Sequence, residues 1–381
     1  MTVAVVGASM TEFGVREPRL RELLADAGEA CLDDAGVDPR AVDHLYLAES
    51  GGAYESKGGL VNALKSDLGL GSAYATGIEQ TSAAGGAGIA AAWRSVASGE
   101  SDLSLLVGGE KMTHLSTPVA SDVVSAITHP AEYRHGVTIP SFAGLTARRY
   151  LERFDAPRES LARVAVKNHQ NGVDNPNAHF QTEITMETAL ESAVVADPLR
   201  LYDFCPISDG SAALLFTTEE RARDLTDDYV RVAGVAGATG RQVVHERSDL
   251  TAMDAVSTAG QRAYEMAGLG PADLDVVELH DMFTILEFLQ LEALGLAERG
   301  RAWRLAEDGT VARDGALPVN TSGGLKSKGH PIGASGVAQA VELYEQLTDA
   351  AGPRQVDADA GLACNVGGFG NAAVATVLER R

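Results

Sequence analysis

The chain has 381 residues, 45% of them hydrophobic, which is enough for two domains of ordinary size around a sizeable core and excludes intrinsic disorder. Its 31 basic and 53 acidic residues leave a net charge of -22, which argues against nucleic acid or an anionic membrane as partner, since no local basic patch is visible. Three cysteines, Cys31, Cys205 and Cys364, lie too far apart for a disulfide framework or a metal-ligand set, as suits a reducing cytoplasm.

Acidic residues run along the whole chain and lysines number only six, a pattern that predicts a salt-adapted surface. At about 1 M salt, screening over roughly 3 Å makes so much like charge tolerable. The start, MTVAVVGASM, has neither a basic run nor a long apolar one, and no stretch reaches the ~18 apolar residues of a membrane span. A soluble, unexported protein is expected.

In chain order, the first landmark is AGVDPRAVDHLYL (35–47): a helix end, a turn with Pro, then an apolar run suited to a buried strand. IEQTSAAGG (78–86) follows and leads into AGIAAAWRSVASGE, a helix of small residues. DLSLLVGG (102–109) is a strand running into a Gly turn. Beyond it, FAGLTARRYLERF (142–154) has a helical period and NGVDNPNAHF (171–180) reads as loop. GSAALLFTTEER (210–221) is again a strand. The three strand landmarks then recur as AGLGPADLDVVEL (267–279), GLACNVGG (361–368) and GNAAVATVLER (370–380), so the chain reads as two related halves.

The matched pairs are displaced by 232, 259 and 160 residues, which places about 99 extra residues in the first half. The expected division is an N-terminal half (1–109 and 209–225), an inserted lobe (110–208) and a C-terminal half (226–381). A segment that leaves one strand end and returns to the neighbouring strand should lie over the carboxyl edge of the sheets, as a lid. Strands alternating with helices predict an α/β fold with mostly parallel sheets covered on both faces.

Four stretches combine Gly with a reactive side chain: QTSAAGGAG with Ser82, ELHDMF with His280, NTSGGLKSKGHPIGASG with His330, and LACNVGGFG with Cys364. Each follows a predicted strand or opens a helix, so all four are expected at one edge of the sheets. Ser82 reads equally as a helix cap, an arrangement worth about 1 kcal/mol, or as a nucleophile. His280, at the end of an apolar run, also suits a satisfied buried histidine. Cys364 also suits a small buried hydrophobe, and Cys205 in DFCPISDG reads as structural. His330, between Gly329 and Pro331, sits in a turn too constrained for a casual loop.

These motifs, in this order and on a duplicated framework, resemble the thiolase superfamily from the first strand to the last. HDMF (280–283) is similar to the HDxF stretch of archaeal and sterol-carrier-protein-type thiolases. GLKSKGHPIGASG is similar to the family's GHPxGATG region, and AVKNHQNGVDNPNAHF (165–180) resembles the lobe of the same branch. The resemblance implies a duplicated five-layer α-β-α-β-α fold with the nucleophile at the amino end of a buried helix. Most thiolases carry Cys there, in a stretch like ENACASGG; EQTSAAGG puts Ser82 in its place. Where the branch often has HNxGG, this chain has CNVGG and so Cys364.

The activity the resemblance implies is reversible Claisen condensation or thiolysis of short-chain acyl-CoAs through an acyl-Ser82 intermediate. A serine needs a base within about 2.6–3.2 Å, and His330 is assigned to that role. Cys364 becomes the acid/base at the α-carbon and His280 the holder of the enolate oxygen. The backbone of Ser82 and of the turn Val366, Gly367 and Gly368 would form an oxyanion hole. Asn320, Gly323 and Gly324 would shape the approach to His330, and Lys326 and Lys328 are the candidates to compensate coenzyme A phosphates. No metal and no tightly bound cofactor are called for, only coenzyme A thioesters as substrates. A homodimer is implied, as is a small zinc-bearing OB-fold partner on a separate chain, because no Cys-x-x-Cys set occurs here. The alternative is a non-catalytic acyl-CoA-binding scaffold subunit.

Overall fold

The computed structural model describes residues 1–55 and 58–381. The first half runs β1 (Val3–Met10), α1 (Leu20–Asp34), β2 (His44–Ala48), α2 (Leu60–Asp67), β3 (Tyr74–Ile78), α3 (Ala84–Ala97) and β4 (Leu103–Glu110). The chain then departs into α4 (Thr117–Ser125), α5 (Pro130–Tyr133), α6 (Ile139–Phe154), α7 (Arg158–Val173), α8 (Met186–Glu191) and a small hairpin of β5 (Val194–Ala196) and β6 (Leu199–Arg200). It returns beside β4 as β7 (Gly210–Thr218), and α9 (Glu219–Leu225) leads into the second half. That half comprises β8 (Val230–Thr239), α10 (Asp254–Ala267), β9 (Val276–Leu279), α11 (Thr284–Ala293), α12 (Ala302–Glu307), α13 (Gly324–Lys328), α14 (Ser335–Leu347), β10 (Ala360–Gly367) and β11 (Ala372–Arg380).

Nine strands hydrogen-bond in the order β3-β2-β4-β7-β1-β8-β11-β10-β9. Reading outward from the centre, β1-β7-β4-β2 on one side matches β8-β11-β10-β9 on the other. The three repeated sequence landmarks end in β2 and β9, fall on β4 and β10, and begin in β7 and β11. A bridge between Val277 and Val319 on the outer side of β9 stands where β3 stands beside β2. Within the sheet, the two half-sheets pair at Ala4 with Arg231 and at Val5 with Val230.

About that narrow seam the sheet folds over a central helical layer. Helix α3 packs on β4 and β2 from one half and on β8 and β11 from the other, and α14 does the same with β7 and β10. Helix α1 covers the outer face of the first half and α10 that of the second, which completes five layers. Two helices fit between the half-sheets because their contact is made of glycine: a Cβ on Gly85 would lie 2.8 Å from the Val337 nitrogen and 2.9 Å from the Gly336 backbone.

The strands are not mostly parallel, as the sequence pattern suggested. β2 pairs in parallel with β3 and β4, and β9 with β10, but β1–β7, β4–β7, β1–β8, β8–β11 and β10–β11 are antiparallel. The four residues between β10 and β11 leave room only for a hairpin, and a hairpin makes antiparallel neighbours. The separate half-sheets also prove to be hydrogen-bonded to each other. The excursion between β4 and β7 packs on the second half, where Phe142, Tyr150 and Leu161 share a core with Phe288 and Leu289 of α11. Among the described residues no helix is long and apolar enough to cross a membrane.

Candidate active site

After β3 the chain turns sharply, with Thr81 at φ 51°, a left-handed conformation uncommon outside glycine. This turn delivers Ser82 to the head of α3, where it is 4% exposed. The Ala83 and Ala84 N–H groups donate to the Gln80 and Thr81 carbonyls (3.0 and 3.1 Å), and α3 starts without a side-chain cap. The cap reading of Ser82 is therefore not realised, and its hydroxyl is left uncommitted to the helix.

His280 follows the last residue of β9 and is fully buried. Gln290 of α11 clamps its backbone, accepting from the His280 N–H (3.1 Å) and donating to its carbonyl (3.0 Å). The ring Nδ1 meets Asn365 Nδ2 at 3.1 Å, while Nε2 has no hydrogen-bond partner among the described residues. Asn365 also donates to the Ser82 carbonyl (3.0 Å) and accepts from the Gly86 N–H (2.9 Å), so it ties the head of α3 to His280. His330 lies in the turn between α13 and α14, 6% exposed, with Nδ1 2.7 Å from Ser335 Oγ. The two imidazoles meet edge to face, centroids 4.9 Å apart.

Burial is the main force on both rings. It lowers His330 to about 3 and His280 well below the usual histidine value, with the neighbouring His330 adding to the latter shift. Both are neutral near pH 7. In an unfolded chain a histidine titrates near ~6.5, so between that value and about 3 the unfolded state binds a proton that folded His330 refuses. Stability should fall as pH drops through this window. His330→Asn is expected to flatten the slope of unfolding free energy against pH between about 6.5 and 4, measured by urea denaturation; an unchanged slope would contradict the buried neutral ring.

Cys364 does not join this group. Along β10, Ala363 faces the central layer, and Asn365 turns the same way to reach Ser82 and Gly86; Leu362, Cys364 and Val366 lie in the core beneath α10 and α11. Burial there pushes the Cys364 thiol up to about 12. The residue facing the site is its neighbour Asn365, which the motif reading passed over and strand alternation would have found. Val366 pairs with Ala373 and Gly367 with Ala372 in the β10–β11 ladder, and Gly368, at φ 56°, begins the turn. A Cβ on Gly367 would lie 2.8 Å from Thr81 Oγ1 and 3.0 Å from the Gln80 carbonyl, so this backbone is pressed against the Ser82 turn.

The remaining sequence candidates hold the site together instead of lining it. Asn320 spends its amide on the Leu279 N–H (2.7 Å) and Glu287 (3.3 Å), which secures the end of β9 just before His280. Gly323 and Gly324 bring α13 against α7 and Asp281; a Cβ on Gly324 would lie 2.6 Å from the Asp281 carboxylate, which accepts the Leu325 N–H at 2.6 Å. Both lysines contradict a role at coenzyme A phosphates, because their ammonium groups point inward. Lys328, 1% exposed, is paired with Glu278 at 3.4 Å. Lys326, 2% exposed, sits 5.6 Å from the ring centroids of Phe180 and Tyr202, and burial lowers it to about 8. A further set went unnoticed in the sequence: Asn168, Asn171 and Asn175, on and just beyond α7, donate to Asp281 (2.6 Å) and to the carbonyls of Asn320 (2.9 Å) and Ser322 (2.8 Å). Their spacing of three and four residues is a helix face and was readable as one.

The duplicated α/β fold, with the Ser82 turn tied through Asn365 to His280, is shared with relatives that are acyltransferases. Residues 3–220 match the family described as "Thiolase, N-terminal domain" and residues 236–380 the one described as "Thiolase C-terminal domain-like". The chain belongs to the thiolase family. It is 40% identical to the acetyl-CoA acetyltransferase of Methanothermobacter thermautotrophicus over 99% of both chains, and 33% identical to the benzoylsuccinyl-CoA thiolase subunit BbsB of Thauera aromatica over 93% of this chain and 91% of that one. Among solved structures, the Ltp2-ChsH2(DUF35) aldolase superposes with a TM-score of 0.86 at 26% identity, covering 100% of this chain and 98% of the other. Human mitochondrial 3-ketoacyl-CoA thiolase, at 17% identity and a TM-score of 0.76 over 100% and 99% of the two chains, shares the fold.

Proposed function

We propose that the protein catalyses reversible Claisen condensation and thiolysis of short-chain acyl-CoAs through an acyl-Ser82 ester. The observation that carries the reading is the pair of buried neutral histidines, ring centroids 4.9 Å apart, joined through Asn365 to the turn that bears Ser82. In thiolysis, Ser82 Oγ attacks the 3-keto carbon as His330 Nε2 takes its proton, and backbone N–H groups of Ser82 and the Gly367–Gly368 turn hold the oxyanion. The Cα–Cβ bond then breaks toward an acetyl-CoA enolate. His280 holds the enolate oxygen while His330 returns the proton to the α-carbon. Coenzyme A thiol, deprotonated by the same imidazole, attacks the ester, releases acyl-CoA and restores the serine. His330 thus covers the proton transfers that the sequence reading gave to Cys364.

The reading extends to coenzyme A thioesters without a tightly bound cofactor, a homodimer, a salt-rich cytoplasm and a separate small zinc-bearing OB-fold subunit. Brief incubation with acetyl-CoA at high salt, followed by digestion and mass spectrometry, should find one acetyl ester on the Ser82 peptide, absent from Ser82→Ala. A second reading is favoured by one observation, that among the described residues no cysteine joins Ser82 and the histidine pair. Here the chain handles C–C bonds by aldol chemistry inside a two-component assembly, in the manner suggested by the Ltp2-ChsH2(DUF35) aldolase. Cleavage of a 3-hydroxyacyl-CoA with no ester on Ser82 would select that reading. A chain without turnover, alone or with its partner, would be a scaffold.

A further inference from the structure

We infer that Asn365 is a positioning residue that sets the tautomer of His280 opposite to the one Ser335 fixes in His330, making one imidazole the hydrogen-bond donor of the site and the other its base. The inference deepens the proposed function and rests on it for the catalytic meaning of the two rings, but not for their protonation.

Two backbone groups fix the orientation of the Asn365 amide. The Gly86 N–H can only donate, so the atom 2.9 Å away must be the amide oxygen. The Ser82 carbonyl can only accept, so the atom 3.0 Å from it must be the amide nitrogen. That NH2 group has no lone pair to offer, and its second proton points at His280 Nδ1, 3.1 Å away. Nδ1 must accept, and in a neutral ring the proton then sits on Nε2. This is the nitrogen left buried and without a partner, a donor awaiting an oxygen atom.

The same count gives the reverse answer for His330. The Ser335 hydroxyl has one proton, and its partner at 2.8 Å is the Pro331 carbonyl, which can only accept. Ser335 Oγ must therefore accept from His330 Nδ1–H at 2.7 Å, which leaves Nε2 of that ring with a bare lone pair. Neither ring can exchange roles without breaking a hydrogen bond to a main-chain-anchored side chain. Close packing keeps Asn365 in place: a Cβ on Gly336 would lie 2.3 Å from its Oδ1, and one on Gly86 3.2 Å from the same atom.

Long-range proton–nitrogen correlation spectra of protein labelled with 15N-histidine read the tautomers without substrate, the two rings being assigned by their loss in His280→Gln and His330→Gln. The expected wild-type result is a proton on Nε2 of His280 and on Nδ1 of His330. Asn365→Asp presents only acceptors, so the His280 proton should move to Nδ1, and kcat should fall about 100-fold with KM little changed. Wild-type His280 protonated on Nδ1 overturns the inference, and so does an Asn365→Asp protein that keeps the Nε2 proton. The wild-type spectrum decides even if the variant does not fold. Because the tautomers are read in the resting protein, absence of turnover would remove the proposed reaction and leave this assignment standing.

Discussion

His330→Asn is expected to lower kcat for acyl transfer by about 10²- to 10⁴-fold, the range that general acid–base groups contribute, with KM almost unchanged. Serine hydroxyls are scarcely ionised near neutral pH, and among the described residues no other base is placed to serve the head of α3: His280 Nδ1 is engaged by Asn365, and Cys364 lies on the far face of β10. In the proposed mechanism one imidazole would receive the Ser82 proton, hand it to the α-carbon and then deprotonate the thiol, so its loss should slow acylation and deacylation together. The variant should fold, because Ser335 keeps its bond to the Pro331 carbonyl. Steady-state kinetics in both directions would check the expectation; a loss below about tenfold would contradict a shuttle through His330.

The largest effect on stability is expected from Lys328→Met. Glu278 and Lys328, each two residues before a histidine, form with Thr321, Glu342 and Arg354 a buried polar network, and Glu278 also accepts from Ser322 N–H (3.1 Å) and Ser322 Oγ (2.6 Å). Burial already raises the Glu278 carboxyl even with Lys328 beside it. Removing the cation strands a charge that must either stay unpaired or bind a proton, at a cost of about 3–5 kcal/mol. Urea unfolding would measure it. Glu278→Gln in the Lys328→Met background should recover much of the loss, since neutralising both partners of a buried pair is far cheaper than removing one. A single variant as stable as wild type would show that the pair is not sealed from solvent.

Much of the architecture was legible because the chain says it twice. AGVDPRAVDHLYL and AGLGPADLDVVEL end in strands that occupy matching places in the two half-sheets, and an unequal offset between landmarks is enough to reveal the excursion between β4 and β7. Strand direction was not legible, because periodicity reports burial and says nothing of polarity. Ser82, His280 and His330 came together because each sits at an element end, where sequence motifs are tied to turns. The errors share a different cause. Reactivity within the motif points to Cys364, but a strand interior assigns faces by parity, so its neighbour Asn365 reaches the site and the thiol lies in the core. Charge alone predicts exposure for Lys326 and Lys328, unless a buried partner such as Glu278 or an aromatic wall such as Phe180 and Tyr202 intervenes.

The crossing of α3 and α14 at Gly85 and Gly336 has a meaning for how such a site can arise. The two helices hold corresponding places in the duplicated halves, one entering β4 and the other β10. The first presents the hydroxyl, and the second follows the turn that presents His330. Two identical halves would have offered two like groups to each other at that meeting point. Within one polypeptide the two copies are free to differ, so the turn ahead of one helix carries a hydroxyl and the turn ahead of the other an imidazole.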